Sequence, residues 1–121
     1  MEKDRFQVIL VFKNQQSKQI IEEMLETEQD YDFKKDEIID KAHAIDPLAL
    51  SFIFGIVADQ LIKSGVKDIY EYVVETIKNI VKKRELKNRI TDKMEIRIHI
   101  KSRILVLKYD TELDKFEIEE I

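Results

Sequence analysis

The 121-residue sequence has no cysteine, no tryptophan, a single proline and only two glycines. Without cysteine there can be no disulfide and no thiolate metal site, so the fold has to stand on packing alone. Gly55 and Gly65 belong to no dinucleotide or nucleotide-triphosphate fingerprint, which removes the phosphate-cradling loop. Ser17, Ser51, Ser64 and Ser102 lack the surroundings of a nucleophile elbow. There is no Gly/Ser/Pro-rich linker and no internal repeat, so residues 1–121 read as one domain, long enough for a single hydrophobic core. No catalytic residue, metal site or cofactor is expected.

Histidine is nearly as scarce. His43 precedes Asp46-Pro47, where a structural role beside a helix start is expected, and His99 falls on the outer face of a predicted strand. The chain opens Met1-Glu2-Lys3-Asp4-Arg5 and its first apolar run is short and leads into Lys13, which is not the pattern of a signal peptide. An intracellular, cytoplasmic location is therefore expected.

With 44% hydrophobic and 38% charged residues, the composition is that of a compact, regular domain and not of a disordered chain. The net charge of −4 argues against general nucleic-acid binding, but the charge is unevenly spread. Between Glu22 and Glu37 eight acids face two bases, whereas Lys82 to Arg89 holds five bases and one acid. The basic stretch has no interleaved aromatic residue of the kind a single-strand platform needs, and it complements the end of a helix.

Residues 6–12 (FQVILVF) predict a central strand, and Ile20, Ile21, Met24 and Leu25 recur at helical spacing after a cap at Asn14 or Ser17. Tyr31-Asp32-Phe33 predicts a weak edge strand. Asp46 and Pro47 resemble a helix cap and first turn, and Ser64-Gly65 a stop, so the apolar run from Leu48 to Ile62 is expected to be a buried helix. That run is too short and too interrupted to span a membrane. A second helix follows, with Val66, Ile69, Tyr70, Val73, Ile77, Ile80 and Val81 as its apolar stripe. Met94 to Ile100 alternates cleanly and, with residues 104–109, predicts a hairpin, with Phe116 to Ile118 as a further short strand. The sum is an α+β two-layer sandwich: a small, mostly antiparallel sheet with a helical pair on one face.

Two interaction surfaces suggest themselves. If the 48–62 helix packs on its own chain with one face only, Phe52, Gly55, Ile56 and Asp59 form the other, and they are the candidate partner-binding residues. Gly55 then marks the close approach of another backbone. The alternative surface is acidic, built on Glu22, Glu23 and Glu26, and would suit an immunity or antitoxin-type inhibitor of a basic partner.

In element order the chain resembles the effector-associated constant component family: an N-terminal strand, a short acidic helix, a Gly-containing apolar helix (Leu48 to Ile62), an amphipathic helix ending in bases (Ile69 to Arg84) and a closing hairpin (Met94 to Tyr109). The resemblance implies a non-enzymatic adaptor of bacterial conflict and defence loci, and it assigns no site residue. The expected function is a non-catalytic interaction module whose helical pair or exposed sheet edge binds another protein or a second copy of itself, as in a homodimer.

Overall fold

The structure, a computed structural model, describes residues 4–28, 31–36, 47–83, 93–110 and 112–121. The elements run β1 (Asp4–Phe12), α1 (Gln15–Thr27), β2 (Asp32–Lys35), β3 (Ala49–Ile56), α2 (Ala58–Ser64), α3 (Ile69–Lys83), β4 (Met94–Ile100), β5 (Arg103–Asp110) and β6 (Lys115–Glu120). The described strands form one sheet in the order β2-β3-β1-β4-β5-β6, antiparallel throughout. All of its core side chains lie on one face, under α1 and α3, so the chain is an α+β two-layer sandwich.

Local chemistry accounts for most of the boundaries. Asn14 caps α1, its Oδ1 accepting the Ser17 N–H at 2.8 Å, and Ile20, Ile21, Met24 and Leu25 form the buried stripe. α3 starts at Asp68, whose Oδ1 accepts the Glu71 N–H at 2.9 Å, while Glu71 Oε2 accepts the Lys67 N–H at 3.0 Å. Its Val73, Ile77, Ile80 and Val81 are at most 1% exposed. β4 and β5 turn at Lys101-Ser102, where Lys101 takes φ 54°. β2 and β6 are the edge strands of the described sheet.

The segment expected as a buried helix from 48 to 62 is a strand over most of its length. Ala49–Ile56 pairs with β1 on one side and β2 on the other, and only Ala58–Ser64 is helical. The physical reason lies in the ambiguity of an apolar run: a helix greasy all round and a central strand covered on both faces present the same composition. Here β-branched and aromatic residues and the run's modest length favour the strand. Leu50, Phe52, Phe54 and Ile56 point into the core, and Ser51, Ile53 and Gly55 point the other way. The helical pair on the sheet is consequently α1 with α3, not two helices meeting at Gly65. Gly65 does end a helix: it caps α2 with φ 70° and donates its N–H to the Ile62 carbonyl at 3.2 Å. Asp46 and His43 lie outside the described residues.

Gly55 is a place of close approach, but what approaches is a side chain. Asp32, opposite it on β2, lays its carboxylate over the glycine, so a Cβ there would sit 2.4 Å from Asp32 Oδ2 and 3.0 Å from Cγ. Because that carboxylate is the mobile end of an edge-strand side chain, Gly55→Ala is expected to shift stability by less than about 1 kcal/mol. Gly55→Val, which must push Asp32 and β2 aside, is expected to cost about 1–3 kcal/mol. Chemical denaturation of the two variants separates these outcomes.

Candidate functional site

The sheet has a second face, and among the described residues no helix covers it. Strand pairing arranges that face as ladders running across the sheet. One crosses Ser51, Ile9, His99 and Ile104, and the next crosses Ala49, Val11, Arg97, Val106 and Glu119. Together with Ile53 they make an apolar band over β3, β1, β4 and β5, about 15 Å wide at normal strand spacing. Val106 is 5% exposed yet stands apart from the core cluster, while Ile9, Val11, Ile53 and Ile104 are half-buried.

The band is bordered by charge. Beyond the Val11 ladder, Lys13 Nζ lies 3.8 Å from Glu95, Glu95 pairs with Lys108 across β4 and β5, and Lys108 Nζ lies 3.4 Å from Glu119. Four lysines and three carboxylates, with Met94, Tyr109 and Leu113, line a cleft of about 470 Å³ there. Its charges nearly balance, so it offers a rim for polar contacts and not a concentrated anion site. At the far side of the band, Gln7 donates from Nε2 to Ser51 Oγ at 3.1 Å. Tyr109, whose hydroxyl donates to Asp114 Oδ1 at 2.5 Å, has its pKa pushed up to about 12 by burial and by that carboxylate.

His99 sits at the centre of the band, between Ile9 and Ile104. Its Nε2 is buried without a hydrogen-bond partner. Burial, then the neighbouring Arg97 guanidinium, lowers its pKa below the ordinary imidazole value. The folded imidazole therefore accepts a proton at lower pH than the unfolded one. Stability is fullest above about pH 6.5, the unfolded value, and declines as pH falls from there toward the folded pKa. The stability difference between wild type and His99→Gln is accordingly expected to shift against wild type between about pH 7.5 and pH 5. Thermal melts of both proteins at the two pH values check this.

Of the residues expected to bind a partner, Phe52 and Ile56 are each 1% exposed and belong to the core, and Gly55 is buried under Asp32. Asp59 is exposed in the first turn of α2. The strand geometry thus separates four residues that a helix would have gathered on one side: Phe52 and Ile56 face the core, Gly55 the opposite face, and Asp59 lies on α2. Glu22, Glu23 and Glu26 do lie together on α1, but Lys35 approaches Glu22 to 3.7 Å and Glu26 to 4.0 Å, so that surface is partly neutralised from within. Arg84, Lys87 and Arg89 of the basic stretch lie outside the described residues, and Lys82 sits 5.4 Å over the Phe116 ring.

Ile9, Val11, Ile104 and Val106 were not singled out by sequence reasoning, although a signal was present. β1 and β5 carry unbroken apolar runs where β4 alternates, and a strand roofed by helices on one face needs apolar residues on the other only if that face is also covered. No described helix is long and apolar enough to cross a membrane. Among the described residues no cluster of His, Asp and Glu is arranged to hold a metal ion. No protein-family model matches the chain, and no curated protein or solved structure matches it.

Proposed function

We propose that this chain is a non-catalytic protein–protein interaction module that docks its partner on the face of the sheet opposite α1 and α3. The observation that carries this reading is the apolar band of Ile9, Val11, Ile53, Ile104 and Val106 around His99, outside the core cluster and bordered by charge on one side and by the Gln7–Ser51 hydrogen bond on the other. An apolar centre with a polar rim is the anatomy of a contact surface. The likeness to effector-associated constant components was read through a helix at 48–62. With that segment a strand, the proposal rests on the face and not on the likeness.

Three baits test it against the acidic-inhibitor alternative: wild type, the face variant Ile9→Glu/Ile104→Glu, and the helix variant Glu22→Lys/Glu23→Lys/Glu26→Lys. A protein from the source cells that is retained by wild type and the helix variant, and lost by the face variant, supports docking on the sheet. Retention that survives on the face variant and fails on the helix variant, with a strong dependence on salt, transfers the function to the acidic surface.

A further inference from the structure

The described sheet ends at β6, whose Lys115, Glu117, Glu119 and Glu120 guard the edge against strands that do not match their charges but leave it open to one that does. Residues 115–120 pair with 105–110 without a bulge, and the strand contains no proline. Ile118 is 45% exposed and borders a cleft of about 230 Å³ beside α3 instead of lying beneath the helix. The direction of its backbone is fixed by the Ile121 N–H, which donates to the Ile104 carbonyl at 3.0 Å. Because antiparallel pairing alternates, residues 117 and 119 also turn their N–H and C=O groups toward β5, and Phe116, Ile118 and Glu120 turn theirs outward.

We propose that β6 pairs with β6 of a second copy, antiparallel about a two-fold axis through Glu117. In this register Phe116 of each copy lies opposite Ile118 of the other, and each such pair exchanges the outward backbone bonds in both directions. Lys115 lies opposite Glu119 twice, giving two cross-strand ion pairs. The Glu117 side chains meet at the axis, where Lys108 of each copy, opposite Glu117 on β5, offsets their repulsion. Sliding by two residues one way places Glu117 against Glu119 twice and removes the partner of Lys115; sliding the other way sets Lys115 opposite Glu117 but shortens the pairing within residues 115–120 from five positions per strand to three. A one-residue slide mismatches both the side-chain faces and the backbone phase. Charge, hydrogen-bond phase and the length of strand paired together select this register.

This contact adjoins the charged rim of the face that carries the apolar band, and it sets two such faces side by side on one continuous sheet. It is tested by sedimentation or light scattering over a concentration series reaching about 1 mM. A reversible monomer–dimer equilibrium is expected. Lys115→Glu should weaken it about tenfold or more, and Lys115→Glu/Glu119→Lys should restore it. Ile118→Pro, whose missing N–H faces outward and so spares the β5 pairing, should abolish it while circular dichroism stays native.

Ile9→Glu/Ile104→Glu should leave the dimer unchanged. A monomer at every concentration, or a dimer indifferent to both Lys115→Glu and Ile118→Pro, overturns the proposal. A dimer broken by Ile9→Glu/Ile104→Glu also overturns it, and leaves docking on the sheet face standing.

Discussion

Phe54→Ala is expected to cost about 3–5 kcal/mol, a large part of a small domain's total stability, whereas Ile53→Ala next to it is expected to cost about 1 kcal/mol or less. Phe54 is fully buried, its ring centroid 5.5 Å from that of Phe6 and 5.6 Å edge-on from that of Tyr72, so truncation leaves a cavity between β1, β3 and α3. Ile53 stands on the other face and is half-buried. The alternation has to persist along β3, with Phe52→Ala and Leu50→Ala costly and Ser51→Ala mild. A helix over 48–62 would instead place residues 52, 55, 56 and 59 on one side, and the costs would recur every three or four positions. As the chain has no tryptophan, urea titrations followed by far-ultraviolet circular dichroism are the suitable measurement.

Much of the framework was legible in the sequence because it is specified locally. β4 alternates and α3 carries a helical period, β1 and β5 are short runs rich in β-branched residues and bounded by charge, and the Asn14 cap and the Gly65 stop act through bonds to residues three positions away. The run from Leu48 to Ile62 was misread because its apolar residues cover both faces and so carry no period at all. Pro47, taken for the first turn of a helix, lies in a turn entering β3, where its carbonyl accepts a bond from Lys18 Nζ at 2.7 Å. The face opposite α1 and α3 was harder to foresee. Ile9 meets His99 and Ile104 only because β1 and β5 flank β4, and that order depends on pairings far apart in the chain. A strand's alternation tells which residues share a face, but not which strands share an edge.

The second large effect concerns binding. Ile9→Glu/Ile104→Glu places two carboxylates in the middle of the apolar band, on either side of His99. In the free protein both positions are only partly exposed, so a cost in stability of about 2–4 kcal/mol in total is expected. In a complex the same carboxylates would be desolvated without partners, and affinity is expected to fall about a hundredfold or more. The contrast matters because a variant that merely unfolds would lose binding and its native circular dichroism together.

The most direct measurement is the calorimetric affinity of the purified partner for wild type and for Ile9→Glu/Ile104→Glu, with both proteins shown to be folded at the working temperature. If the face opposite α1 and α3 is the contact surface, binding weakens by about two orders of magnitude while the fold persists. Equal affinity for the two proteins would contradict it.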